Sequence, residues 1–273
     1  MTKTNVIILT ILAVLFLFPL YWSLSTALKP SPEILSYPPS LFPRTITYTQ
    51  FDKLFSAGDG LFLTYVRNTV VLCVLTVGLV LFLSVTAGYA LSKLPFRGSN
   101  WIFLLILSII MVPFQSLLVP LFDLMNRLNM LDTIHGLVLI YSTFFTPFCL
   151  FLMRSYFSSL PSSLRESALI DGASDYRILR SIYLPVSLPA LATVVVFVFM
   201  ETWNDFILSL IFTSSKASSN VQVGIMNFAS TRFTKDWGVI NAGAFFTTIP
   251  TIVIFLLLQR YYVRGLTSGT TKE

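Results

Sequence analysis

The chain has 273 residues, 55% hydrophobic and 11% charged, with a mean hydropathy of +0.80. Soluble domains carry about 25% charged residues, so a soluble globular protein is excluded. The apolar residues form blocks of helical spanning length, not the alternating segments of about 10 residues that a barrel would show. The formal net charge is +6, yet the placement of the basic residues follows a membrane topology and leaves no nucleic-acid footprint.

The pattern predicts an all-α integral membrane fold with six transmembrane helices, at 6–28, 67–91, 101–125, 135–157, 186–212 and 241–262, in a single transmembrane domain over 1–273. Ser25-x-Ala27 resembles a signal-peptide cleavage site. The apolar run before it exceeds the roughly 7–15 residues of such a peptide's core and contains Pro19, which predicts a retained helix.

Residues 29–66 carry Pro30, Pro32, Pro38, Pro39 and Pro43, a density that favours extended chain. Phe51, Leu54 and Phe55 then share a short helical face. In the second span Ser84, Gly88 and Ser92 recur at i, i+4 and i+8, a small-residue stripe that lets two helices approach closely. Lys93 and Arg97 in the short loop 92–100, with no acid, mark the cytoplasmic side. Both termini and the loop 158–185 then face the cytoplasm.

The third span holds Pro113 and Pro120, with Gln115 between them and Asp123 near its outer end. Prolines free backbone carbonyls that neighbours must satisfy, so such a helix bends or lines a cavity, although prolines are common in membrane helices generally. Cys73 and Cys149 lie mid-helix in different spans and read as small apolar core residues. His135, the only histidine, has no ligand-spaced neighbour and falls at a helix end.

The fifth span is the most polar. Glu201, Asn204 and Asp205 share one helix face, with Trp203 roughly opposite. At 1.5 Å rise per residue, Glu201 lies roughly 22 Å from Val186, past the midplane. An acid at that depth costs about 2.5–3.5 kcal/mol, so it faces protein or water. Two readings stand: a polar transport path over Gln115, Glu201, Asn204 and Asp205, or an interfacial Asp205 with Glu201 neutral or paired to a neighbouring helix. Residues 213–240 read as a serine-rich outer loop, and the tail from Arg260 to Glu273 is basic, then small and polar.

The loop 158–185 interrupts this apolar chain. Pro161 suits the first turn of a helix. Leu164, Ala168 and Leu169 recur at helical spacing, and Gly172 follows where a left-handed C-terminal cap fits. Ser174 or Asp175 can N-cap a second piece, in which Tyr176, Leu179 and Tyr183, with Ile182 adjoining, form the apolar face. Glu166, Asp171 and Asp175 nearly balance Arg165, Arg177 and Arg180. A helix lying on lipid headgroups would favour cations; balanced charge around apolar knobs suits docking to a soluble protein.

Glu166, Ala168, Gly172, Ile182, Leu184 and Pro185 occupy the places of the EAA motif of ATP-binding-cassette importer permeases, Glu-Ala-Ala, three residues, Gly, nine residues, Ile-x-Leu-Pro. Ser167 departs at the second position but is still small. Residues 90–98 (Ala-Leu-Ser-Lys-Leu-Pro-Phe-Arg-Gly), 170–174 (Ile-Asp-Gly-Ala-Ser), 203–206 (Trp-Asn-Asp-Phe) and 259–266 extend the likeness over nearly the whole chain. The chain resembles the MalG-like class of the carbohydrate-uptake branch, with a type I importer permease fold and cytoplasmic EAA coupling helices.

That resemblance implies a second, MalF-like permease, two cytoplasmic ATPase subunits, an extracytoplasmic solute-binding protein and a lipid bilayer as partners, in a bacterial or archaeal plasma membrane. It implies that Glu166, Ser167, Ala168, Asp171 and Gly172 meet the ATPase: Glu166 offers charge, Ala168 allows close approach and Gly172 sets the turn. Helices 4 and 5 would follow as a lever. No phosphate-binding Gly-rich Lys-Ser/Thr loop occurs in the chain, so ATP and Mg belong to the partner ATPase and the chain itself is a non-catalytic transport subunit. A sugar, as a di- or oligosaccharide, is the expected solute. Glycerol 3-phosphate stays open, although the spans lack the basic residues a phosphate would want. An ion-coupled secondary transporter using Glu201 and Asp123 would be expected to show inverted repeats, and none is found. A non-transporting scaffold would account for the loop but not for the polar fifth span.

Overall fold

The computed structural model describes residues 3–57, 60–94, 96–229 and 236–267, and side chains only as far as Gln259 in the last helix. Pro95, residues 230–235 of the expected outer loop and residues 268–273 of the tail lie outside the described residues. The helices are α1 (Lys3–Ala27), α2 (Ser31–Ile34), α3 (Thr49–Ser56), α4 (Leu61–Lys93), α5 (Ser99–Ser108), α6 (Phe114–Arg127), α7 (Ile134–Ser159), α8 (Ser163–Ile170), α9 (Asp175–Ile178), α10 (Leu184–Val186), α11 (Leu188–Asn204), α12 (Ile207–Phe212), α13 (Val221–Ala229) and α14 (Trp237–Thr267). By length and composition α1, α4, α7 and α14 can each cross a membrane, and two bent pairs bring the count to six.

The third span bends, as its prolines suggest, and the fifth departs from a single straight helix. The third span breaks between α5 and α6 at 99°. Val112, just before Pro113, is extended (φ −85°, ψ 119°), because the proline ring crowds the helical conformation of the residue preceding it. The fifth span starts late: the stretch 175–186 meets α11 at 79°, with Pro185 and Pro189 each in the first turn of the helix that follows. It also ends early. Asp205 is extended (φ −66°, ψ 133°) and separates α11 from α12.

The chain groups into two compact units. The first comprises residues 1–68 and 215–252. Its core is Ala27, Leu54, Phe62, Tyr65, Val221, Val239 and Ala242. Leu54 is fully buried, as the face shared by Phe51, Leu54 and Phe55 requires. Phe55, Phe62 and Phe246 meet edge-to-face with centroids 5.5–5.6 Å apart. Helix α13 lies inside what reads as a plain outer loop, and Gly224 sits so close to the Tyr65 ring that a side chain there would collide with it. Asn68 donates to Ala217 O (2.7 Å) and Ser219 O (3.1 Å), which ties the serine-rich stretch to the start of α4.

The second unit comprises residues 69–214 and 253–273. One core cluster joins α4, α7, the stretch 168–183 and α11 through Val80, Tyr89, Met153, Phe157, Ile178, Tyr183 and Val194. A second joins α4, α6, α7 and α12 through Leu72, Met125, Tyr141 and Phe212. The small-residue stripe on α4 does what its spacing suggests: a Cβ added to Gly88 would lie 3.0 Å from Met153 Cβ and 3.2 Å from Arg154 N. Cys73 and Cys149 are buried free thiols.

Candidate functional site

The elbow 158–185 is built around one turn. Its first arm is α8, preceded by Ser162 at the N-cap; Pro161 lies just outside the helix, not in its first turn. Gly172 adopts φ +77°. Its N–H reaches Leu169 O (3.0 Å), and the Ala173 N–H reaches Ala168 O (2.9 Å). These are the paired closures of a Schellman cap, which needs a left-handed residue that glycine supplies without a Cβ clash. The second arm opens on Ser174, whose Oγ accepts the Arg177 N–H at 3.4 Å. It runs through α9 into a π-helical stretch, Leu179–Tyr183, and then α10.

This geometry sorts the expected contact residues. Glu166, Ser167, Asp171 and Gly172 are exposed. Ala168 is not: it is 8% exposed and belongs to the core with Met153 and Phe157. Its small size lets the elbow pack onto its own bundle, a place in this chain that the expected partner contact did not include. Ile170, about 200° round the helix from Ala168, is 87% exposed. The second arm also departs from α-helical spacing. Tyr176 points outward at 72% exposure, while Ile178, Leu179 and Tyr183 are buried. The i→i+5 repeat of a π stretch aligns Ile178 with Tyr183, a register that α-helical spacing does not give. Leu169, Ile170 and Tyr176 are therefore exposed apolar residues close to the turn in sequence, and the charged Glu166, Asp171, Arg177 and Arg180 of the same elbow are exposed as well.

The other two charges of the elbow close on each other. Arg165 Nε lies 2.8 Å from Asp175 Oδ1, and Arg165 Nη2 lies 3.3 Å from Oδ2. The Arg165 guanidinium beside Asp175 holds its carboxyl below the usual carboxylate range. The pair spans the turn and staples one arm to the other.

A second site lies on the polar face of α11. A cavity of about 400 Å³ is lined by Phe114, Phe144, Phe145, Met200, Glu201, Asn204, Asp205 and Leu208. The bend at Pro113 brings Phe114 to this cavity, while Gln115 is exposed and is not in its lining. The three polar residues differ in what they are free to do. Asp205 accepts the Tyr141 hydroxyl at 2.6 Å and the N–H groups of Leu208 (3.3 Å) and Ser209 (3.1 Å). Its carboxylate caps the first turn of α12, at the point where α11 ends. Asn204 donates to Met200 O (2.9 Å) and keeps its carbonyl oxygen for other use. Glu201 is exposed and makes no hydrogen bond or ion pair with the described residues. Tyr141 and the three phenylalanines are missed by sequence reasoning, because aromatic residues are spread over every span and carry no local signature.

A smaller cavity of about 270 Å³ in the first unit is lined by Trp22, Lys29, Glu33, Trp237 and Asn241, among others. Its charges are already engaged. Lys29 Nζ donates to Ser40 O (2.6 Å) and sits 4.8 Å from the centre of the Trp22 ring. Glu33 accepts from Ser40 Oγ (2.7 Å) and Arg44 N (2.9 Å).

The pattern of the family described as "Binding-protein-dependent transport system inner membrane component" matches residues 80–268, which include the elbow and the α11 cavity. The chain belongs to this family. It is therefore a multi-pass membrane permease component. The chain is 35% identical to the trehalose transport system permease protein SugB of Mycobacterium tuberculosis, over 94% of this chain and 92% of that one. It is 33% identical to the arabinooligosaccharides transport system permease protein AraQ of Bacillus subtilis, over 96% and 92%. Its fold matches a chain in the crystal structure of a bacterial ABC transporter involved in the import of the acidic polysaccharide alginate, with TM-score 0.85, 25% identity and 95% of each chain covered.

Proposed function

We propose that this chain is the transmembrane permease subunit of an ATP-driven importer for a di- or oligosaccharide. It would form half of the translocation path beside a second, MalF-like permease, receive solute from an extracytoplasmic binding protein and be powered by two cytoplasmic ATPase subunits. ATP and Mg act in those subunits, and this chain performs no hydrolysis. Both termini and the elbow lie in the cytoplasm. The observation that carries the reading is the elbow itself: a stapled, Schellman-capped turn with exposed apolar side chains and exposed charges of both signs. Such a surface fits a groove on a folded soluble partner. Glu166, Ser167, Asp171 and Gly172, together with Ile170, would enter that groove.

The solute would pass the α11 cavity. Its aromatic walls offer faces to sugar rings, and Glu201 and Asn204 offer hydrogen-bond acceptors. The free acid and the lack of a basic lining residue disfavour glycerol 3-phosphate. Saccharide relatives named for trehalose, arabinooligosaccharides and alginate support the substrate class. The test is ATP-dependent uptake by proteoliposomes holding this chain with its partner permease, ATPase and binding protein. Uptake of a disaccharide that glycerol 3-phosphate does not compete is expected. Uptake of glycerol 3-phosphate alone, or uptake that follows a proton or sodium gradient without ATP, would overturn the reading.

A further inference from the structure

We infer that Tyr89 is a positioning residue that ties the coupling elbow to the cytoplasmic end of α4, so that movement of the elbow is passed to α4 directly. This rests on the coupling reading above and adds a route to it. The elbow is continuous in sequence with α7 and α11, and those helices follow it through the chain. Helix α4 has no such covalent link and needs a contact.

Two observations place that contact at Tyr89, and two more surround it on α4. Its hydroxyl donates to Asp175 Oδ1 at 3.2 Å, the same carboxylate oxygen that Arg165 Nε reaches at 2.8 Å. One acceptor on the second arm thus collects a donor from the first arm and one from α4. The Tyr89 ring, 3% exposed, also forms an edge-to-face triangle with Tyr183 (5.2 Å) and Phe157 (6.1 Å), which are themselves 5.8 Å apart. The triangle joins α4, the π stretch of the elbow and α7. One turn further along α4, Lys93 Nζ donates to Leu160 O (2.7 Å) and lies 5.7 Å from the centre of the Tyr183 ring. One residue before Tyr89, Gly88 lets α4 lie against α7 at Met153. The ring therefore fixes where the hydroxyl sits, and the hydroxyl holds the stapled elbow.

The parts separate cleanly by substitution. Tyr89→Phe keeps the aromatic triangle and deletes only the bond to Asp175. Asp175→Asn weakens that bond and the staple together. In the full importer reconstituted with its partners, the readouts are stimulation of ATP hydrolysis by loaded binding protein, solute imported per ATP, and the thermal midpoint of the assembled complex. Tyr89→Phe is expected to lower stimulation and import per ATP by about threefold, the scale of one hydrogen bond to a part-exposed charged acceptor. Assembly and thermal midpoint should hold. Adding Tyr89→Phe to Asp175→Asn should cost less than the product of the single effects, because both act on one bond. Wild-type stimulation and import per ATP in Tyr89→Phe would overturn the inference, as would a loss confined to the thermal midpoint. A Gly172→Val control separates the two levels. If it uncouples and Tyr89→Phe does not, only the α4 route fails; if neither uncouples, the coupling reading fails with it.

Discussion

The elbow and the α11 cavity follow the same division of labour, although one is a surface turn and the other lies within a span. In each, one acid holds the local fold while neighbouring acids are left unspent. Asp175 is consumed by Arg165 and Tyr89, and Asp205 by Tyr141 and the first turn of α12. Glu166 and Asp171 on the elbow, and Glu201 in the cavity, stay exposed. Carboxylates that lie close together in the chain are thus not interchangeable. Those with internal partners set geometry, and those without are the ones a protein or solute would meet.

The largest effect is expected at Gly172. Its φ of +77° is barred to β-branched residues, while nothing crowds the position in space. Gly172→Val should distort the turn at a cost of about 1–2 kcal/mol and cut binding-protein-stimulated ATP hydrolysis by roughly tenfold, whereas Gly172→Asn, which tolerates the left-handed region, should keep most of it. Equal losses in both variants would mean that the site needs the absence of a side chain and not the backbone conformation.

Next comes the structural acid of the cavity. Asp205→Ala removes the α12 cap and the Tyr141 acceptor, and should cost about 1–2 kcal/mol of stability, read as a lowered thermal midpoint of the purified chain. The free acid should behave in the opposite way. Glu201→Gln is expected to leave the thermal midpoint unchanged and shift the KM for uptake by about threefold, the scale of one hydrogen bond at an exposed site. Reversed outcomes, with Glu201 stabilising and Asp205 affecting only KM, would break the comparison.

The smallest effect is in pH. The Asp175 carboxyl is depressed in the folded chain, first by its hydrogen bond from Arg165. A depressed carboxyl contributes stability above its unfolded value, near about 3.9, and loses it only as pH falls through the lower folded value. The difference in thermal midpoint between the wild type and Asp175→Asn should therefore be flat from about pH 5 to 8 and shrink below about pH 4. A difference that varies across neutral pH would assign the staple to another group.

Much of this was legible in the sequence. The cap at Gly172, the N-cap at Ser174 and the close approach at Gly88 follow from local rules about φ, side-chain oxygen and size, and the EAA spacing pointed to the family. What was not legible depended on rotation and on distant partners. Ala168 turned inward and Ile170 outward because the bundle, not the motif, decides which side of α8 is covered. Tyr176 parts from Leu179 and Tyr183 because a π stretch changes the register. The hold of Tyr141 on Asp205 spans 64 residues of chain, which no local pattern carries. The break in the third span was foreshadowed by Pro113, whereas that at the start of the fifth was not.

The central claim is that the exposed side of the elbow, and not its Ala168 side, meets a cytoplasmic ATPase. Single cysteines at Ile170 and at Ala168, in a chain whose Cys73 and Cys149 are replaced by alanine, test it in the assembled importer with a short bifunctional cross-linker. The account predicts a cross-link from position 170 to the ATPase subunit and none from position 168. A cross-link from 168 alone, or labelling of position 170 by an impermeant thiol reagent added outside intact cells, would contradict it.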